Sequence, residues 1–198
     1  MGTITRSFAN LITATGPNAV ADGTIVNADV NASAAIAASK LTDVGITVAE
    51  LWRIRDTNLT TSTTSATFTT PGLAVALTGS AQITQASGVF TFPSTGYYLI
   101  QFLYNVYDDG EVHRQCTGYI NTSTDGGSSF GTLAQGNVFM SYHQANNTHN
   151  SGFTQCIFDV TNTSTHKVQF SYYFTGASLS FYADNLGCTA YFQKLGNT

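Results

Sequence analysis

Charge is the scarcest feature of this sequence. Asp, Glu, Lys and Arg together make up 9% of its 198 residues, against roughly 25% in an average soluble domain. The Lys and Arg residues (Arg6, Lys40, Arg53, Arg55, Arg114, Lys167 and Lys194) are scattered. No cluster of them can follow a phosphate backbone, so nucleic acid is not an expected partner. Cysteine is sparser still. Cys116, Cys156 and Cys188 are odd in number and far apart, which excludes a disulfide framework. Each lies in an apolar, strand-like run, where a thiol acts as a small buried hydrophobe. No apolar run approaches the ~18 residues of a membrane-spanning helix, and no membrane partner is expected. The N-terminus, "MGTITRSFANLITATG", lacks the continuous apolar stretch of a secretory signal. Arg6 stands where myristoylation wants Ser or Thr. The expectation is a chain made in the cytoplasm and not exported.

Signatures of chemistry are also missing. There is no G-x-S-x-G elbow, no phosphate-binding loop, no H-E-x-x-H and no paired-Cys zinc spacing. His143 and His149 fall in the polar stretch "MSYHQANNTHNSG" with no third ligand beside them. Asp108, Asp109 and Glu111 surround a Gly in "YDDGEVH". Hard carboxylate oxygens in a turn suit calcium. Their spacing does not fit an EF-hand loop, and Asp-Gly turns form without metal. The expectation is no enzyme, no cofactor and no resident metal, with calcium at this turn left open.

What the chain does have is aromatic residues, 13 Phe and 10 Tyr, set in Thr- and Ser-rich runs that alternate with period two. In "KVQFSYYF", Val168, Phe170, Tyr172 and Phe174 share one face. Similar runs recur from Leu51 onward, bounded by Pro, Gly, Asp-Gly-Gly and polar turns. Roughly ten short strands at such spacing predict an all-β, antiparallel sandwich or jelly roll. So many rings exceed what one thin core needs, and the surplus suits subunit interfaces. Residues 1–50 differ. "SFANLITATG" reads as a strand or extended arm, and "AAIAASKL" as a short helix capped by Asn31 or Ser33. A helix this short is marginal alone. Phe8, Leu11, Ile12, Ile25, Val30, Ile36 and Leu41 therefore need a partner surface, and two parts follow: an anchoring arm over 1–50 and a β domain over 51–198.

Two resemblances attach to these parts. The run "GVFTFPSTGYYLIQFLYNV" carries Gly88, Phe90, Phe92, Pro93, Gly96, Tyr98 and Phe102, and it resembles the central signature of C1q-like and tumour-necrosis-factor-like (TNF-like) domains. "TGYINTSTDGG", "THKVQFSYYF" and "ADNLGCTAYFQKLG" are similar to later strands of that family, although "STHK" stands where the family has a Gly-Asp turn. The resemblance implies a jelly roll that closes into a homotrimer about a threefold axis, with Phe90, Phe92, Tyr98, Phe102, Phe170, Tyr172, Phe174 and Tyr191 in its core or interface. "IVNADVNASAAIAASKL" places Ile25, Asp29, Val30, Ala34, Ile36, Ser39, Lys40 and Leu41 in a pattern that resembles a segment of tailed-bacteriophage structural proteins. What it implies is a virion protein. The leading expectation is a trimeric capsid decoration or cement protein, held to the major capsid protein or another virion protein by its arm. The alternative is a short tail fibre or tail tip that recognises a host surface glycan or protein. Its contacts would come from the loops "NTSTDGGSS" and "HQANNTHNS", with Asp125, Tyr142, His143 and Asn146 as candidates.

Overall fold

Alternate residues along the strands are buried, and the alternation resolves into two sheets packed face to face. The structure is a computed structural model that describes residues 45–54, 65–69, 71–77, 79–108, 115–140, 148–174, 180–181 and 187–198. The chain divides between Val44 and Gly45, and all described residues belong to the second unit. The arm, its expected helix and its residues Phe8, Leu11, Ile12, Ile25, Val30, Ile36 and Leu41 lie outside the described residues. So do Asp109, Glu111, Tyr142, His143 and Asn146.

The strands are β1 (Ala49–Arg53), β2 (Ser65–Thr67), β3 (Gly72–Ala76), β4 (Thr84–Ala86), β5 (Val89–Thr91) and β6 (Gly96–Asp108). They continue with β7 (Gln115–Ser123), β8 (Gly131–Phe139), β9 (Thr148–Val160), β10 (Lys167–Phe174), β11 (Ser180–Phe181) and β12 (Thr189–Gly196). No helix occurs among the described residues. The first strand starts two residues ahead of Leu51, so the sheets include Ala49 and Glu50.

Each sheet has six strands, and all pairings are antiparallel. In the first sheet β6 pairs with β9 along its whole length, from Gly96↔Val160 to Asp108↔Thr148. Its other side pairs with β12 and, further along, with β11. β1 and then β3 follow β12. In the second sheet β10 lies between β7 on one side and β5 and β2 on the other. β8 flanks β7, and β4 flanks β5. The chain crosses between sheets at β1–β2, β2–β3, β3–β4, β5–β6, β6–β7, β8–β9, β9–β10 and β10–β11, which is the winding of a jelly roll. The count exceeds the expected ten by β1, which straddles the expected boundary at Leu51, and by β4, a piece of three residues. Segments so short carry no readable period.

The two inner faces meet through aromatic rings. Phe90 contacts Trp52, Phe170 and Phe192 at centroid distances of 5.3, 5.6 and 5.1 Å. Phe102 contacts Phe170 at 5.0 Å and Phe68 at 5.8 Å. Phe92 bridges Tyr98 at 4.6 Å and Phe158 at 6.0 Å. Edge-on and tilted pairs like these add to simple burial. Most described Phe residues are inside, while Phe139, Phe153, Tyr97 and Tyr173 are exposed, so the rings are divided between the core and the surface. A sandwich with two long inner faces has more interior to fill than its thickness suggests.

Polar details fix how the layers sit. Glu50 is 1% exposed, yet its carboxylate accepts from Trp52 Nε1 at 3.0 Å and from the amides of Gln82 and Ile83 at 2.5 and 3.1 Å. A buried charge is tolerated when hydrogen-bonded in this way, and here it ties β1 to the segment leading into β4. The two-residue link from Ala86 to Val89 has positive φ at Ser87 (48°) and Gly88 (81°), as tight hairpin turns require.

Tyr104 is fully buried. It leaves β6, passes between Gly152 of β9 and Gly118 of β7, and its hydroxyl donates to the Gly136 carbonyl of β8 at 2.5 Å. A Cβ at either glycine would collide with the ring. Gly118→Ala and Gly152→Ala are each expected to destabilise the fold by ~1–3 kcal/mol through overpacking. Gly131→Ala, whose Cβ would meet open space, is expected to be nearly neutral. Denaturant midpoints with unchanged slopes would show this.

Candidate functional site

Period two gives each sheet an outer face as well as an inner one, and the two outer faces differ in chemistry. On the first sheet, β6 presents Leu99, Gln101 and Leu103 outward, β9 presents Phe153 and Ile157, β12 presents Tyr191, and β1 presents Leu51. Register brings them together. Leu103 faces Phe153, Leu99 faces Ile157, and Tyr191 faces Leu51 on one side and Gln101 on the other. Phe153 and Ile157 are 51% and 60% exposed. A shallow apolar hollow of about 330 Å³ is lined by Leu51, Gln101, Leu103, Phe153, Thr189 and Tyr191. Two polar atoms at separate corners of this face, Arg53 Nε and Asp159 Oδ1, are buried with no hydrogen-bond partner among the described residues.

On the second sheet the outer face is built from amides, hydroxyls and tyrosine. β7 supplies Thr117, Tyr119 and Asn121, β8 supplies Thr132 and Asn137, β10 supplies Ser171 and Tyr173, and β2 supplies Thr67. Thr132 Oγ1 donates to Asn121 Oδ1 at 3.0 Å, and Asn121 Nδ2 donates to Ser171 Oγ at 2.7 Å. Thr117 Oγ1 donates to Asn137 Oδ1 at 2.7 Å. These residues border an open groove of about 360 Å³ lined by Thr67, Tyr119, Asn121, Thr132, Ser171, Tyr172 and Tyr173.

The sequence candidates fall in distinct places. Phe90, Phe92, Tyr98, Phe102, Phe170, Tyr172 and Phe174 are buried between the sheets, whereas Tyr191 lies half-buried on the first sheet's outer face. Asp125 sits in the β7–β8 loop, where its carboxylate accepts from Ser123 Oγ at 2.6 Å, Ser129 N at 3.0 Å and Ser129 Oγ at 2.5 Å. Those hydrogen bonds hold its carboxyl well below the usual carboxylate range. Its oxygens are engaged in shaping the loop. The loop is also tied across to the β9–β10 turn, since Gly126 N donates to Thr165 O at 2.9 Å. Sequence reasoning sought stacking aromatics in loops and found Tyr142, while the strands place Tyr119 and Tyr173 together on a face. The signal was present in the outward positions of "TGYIN" and "FSYYF", but only the β7–β10 register joins them.

Cys116 and Cys188 are buried and Cys156 is half-buried, and none is in a disulfide. Burial pushes all three thiols up, Cys156 to about 11 and Cys188 to about 12. Among the described residues, no three His, Cys, Asp or Glu side chains group as a metal site.

The closed sandwich matches solved jelly rolls of the TNF type. Eiger TNF from S. frugiperda superposes with a TM-score of 0.57 at 14% identity, over 76% of this chain and 94% of that chain. Murine APRIL at pH 5.0 gives 0.53 at 16% identity, over 75% and 98%. The pH 8.0 structure of murine APRIL gives 0.52 at 13% identity, over 75% and 98%. No family model and no curated protein sequence matches the chain. At these identities the likeness establishes the fold: a C1q/TNF-like jelly-roll domain.

Two measurements test the local chemistry. A thiol raised on folding leaves stability intact below its unfolded pKa and erodes it above. The fold is therefore expected to lose stability as pH rises from 9.0 toward about 11 for Cys156. A thiol-reactive dye at neutral pH should label the native protein slowly and all three cysteines promptly in denaturant. Asp125 has the opposite sign. Its contribution is present above the ordinary carboxylate pKa of about 4 and is lost only as pH falls through the depressed folded value. The Ser129 amide resonance should therefore hold its position through about pH 4 and shift only in stronger acid.

Proposed function

We propose that the protein is a non-enzymatic structural module that assembles as a homotrimer through the outer face of its first sheet and decorates a tailed-phage virion. The observation that carries the assembly is the apolar face around Leu103, Phe153 and Ile157. An exposed face with apolar rungs on either side of the Gln101–Gln155 pair, in a chain with so little charge, marks an interaction surface. Arg53 and Asp159 strengthen the reading. Arg53 Nε and Asp159 Oδ1, buried without a hydrogen-bond partner among the described residues at different corners of one face, suit a head-to-tail contact that closes into a ring. The threefold count follows the C1q/TNF-like signature from Gly88 to Phe102.

The virion setting rests on the segment from Ile25 to Leu41, which resembles those of tailed-phage structural proteins. Anchoring would bury Phe8, Leu11, Ile12, Ile25, Val30, Ile36 and Leu41 against the major capsid protein or another virion protein. At ~25 cal/mol per Å² of apolar area, three arms held by one trimer add up through multivalency. A second reading, a short tail fibre or tail tip, has one observation in its favour: the tyrosine-bordered groove on the opposite sheet.

Sedimentation and light scattering should give three times the chain mass of 21.0 kDa. Phe153→Asp or Ile157→Lys should yield a folded monomer, because an unpaired charge would have to be buried at the contact. A wild-type monomer defeats the assembly reading. Electron microscopy of virions, with and without residues 1–45, tests the setting. Density at capsid threefold positions that disappears on deletion is the expected result, and density on the tail favours the second reading.

A further inference from the structure

We infer that the groove on the outer face of the second sheet is a binding site for an uncharged saccharide. Three features of the groove point to this ligand class. The first is the pair of tyrosines. Tyr119 lies opposite Ser171, and Tyr173 lies two residues further along β10. That is the same diagonal relation that joins Asn121, opposite Gln169, to Ser171. Asn121 and Ser171 are close enough to bond at 2.7 Å, so Tyr119 and Tyr173 stand as diagonal neighbours within reach of one ligand. Tyr173 is 43% exposed. The C–H face of a pyranose ring is apolar and weakly positive, and it packs against the negative face of an aromatic ring.

The second feature is the floor between the rings. Asn121 is 8% exposed, and its amide is held on both sides by Thr132 and Ser171. Hydroxyls and amides fixed by their neighbours present donors and acceptors in set directions, which suits a ligand covered in hydroxyl groups. Preorganisation of this kind lowers the ordering cost of binding. The third feature is neutrality. The lining of Thr67, Tyr119, Asn121, Thr132, Ser171, Tyr172 and Tyr173 contains no Asp, Glu, Lys, Arg or His. A phosphate, a sulfated sugar or an acidic peptide would enter a groove with no countercharge. The volume of about 360 Å³ is within the ordinary range for small-ligand sites, and its openness to solvent suits a chain that runs on past the groove.

The site is separate from the apolar face proposed for assembly, because it belongs to the other sheet. Its setting on a virion rests on the reading above, whereas its chemistry stands on the groove alone. The test is calorimetric titration of the full-length protein with short neutral oligomers of glucose, galactose, mannose and N-acetylglucosamine. At least one is expected to bind, with an affinity insensitive to salt. Tyr173→Ser and Tyr119→Ser should each weaken it roughly tenfold, the scale of one lost stacking ring. Tyr173→Phe, which keeps the ring, should bind nearly as well as the wild type. Circular dichroism and light scattering on each variant separate lost binding from lost folding or assembly. A trimer that binds none of these oligomers overturns the inference and leaves the assembly reading standing. A monomer that binds them does the reverse. Binding indifferent to both tyrosines, or a face that takes a host polypeptide and no saccharide, also overturns it.

Discussion

The rest of the structure depends on the aromatic stack between the sheets. Phe90, Phe102, Phe170 and Phe192 touch one another across the interior, and each comes from a strand whose alternate residues must then point away. That one constraint sets register throughout, because a slip by one residue would exchange each inner ring for an outward neighbour, Gln101 or Leu103 for Phe102 and Gln169 or Ser171 for Phe170. It also decides what the molecule shows to its surroundings. The outer faces are whatever lies between the rings in sequence, so the core and the exposed faces are encoded in one alternating pattern.

Hydrophobic packing alone would tolerate some sliding of one sheet over the other. Tyr104 removes that freedom. Its ring fits only where β7 and β9 both carry glycine, and its hydroxyl reaches β8, so a single side chain fixes four strands. Gly136 adds a second constraint, since a Cβ there would collide with the Phe153 carbonyl of β9. The same glycine that accepts the tyrosine bond thus lets β8 approach β9. Glu50 performs a similar task at the other end, where a buried carboxylate gathers three N–H donors from β1 and the Gln82–Ile83 segment. Polar groups this deeply buried favour one arrangement, because any other leaves them unpaired.

Much of the fold was legible in sequence because its signal is local. Val168, Phe170, Tyr172 and Phe174 read as one face and are one face, and the run from Phe90 to Phe102 carries both the hairpin chemistry and the family likeness. β1 and β4 were not legible, since β1 straddles the expected boundary at Leu51 and the three residues of β4 hold no period. Nor was the importance of Tyr104. Its partners Gly118, Gly136 and Gly152 are scattered along the chain, and a glycine in a strand reads as a weakness until the ring that fills its space is known. The candidate site shows the same limit. Asp125 reads as an available surface carboxylate, yet Ser123 and Ser129 already occupy it. Tyr119 and Tyr173 read as unremarkable members of two strands until register makes them neighbours.

The contrast between the two outer faces is the point at which fold becomes function. A sandwich with two polar faces would be content as a monomer, and one with two apolar faces would aggregate. Here β6, β9, β12 and β1 give the first sheet Leu, Phe, Ile and Tyr outward, while β7, β8 and β10 give the second sheet Asn, Thr, Ser and Tyr. If the first face is covered by other copies of the chain, the second is necessarily turned outward on all of them. Its groove would then be presented once per copy, in parallel orientation about the axis. A shallow, uncharged groove makes few strong contacts, and weak sites gain most from such repetition, since each further engagement is intramolecular. On that reading the apolar face would do more than hold the copies together. By fixing the direction of the polar face, it would convert a weak single-site interaction into one that a trimer can hold.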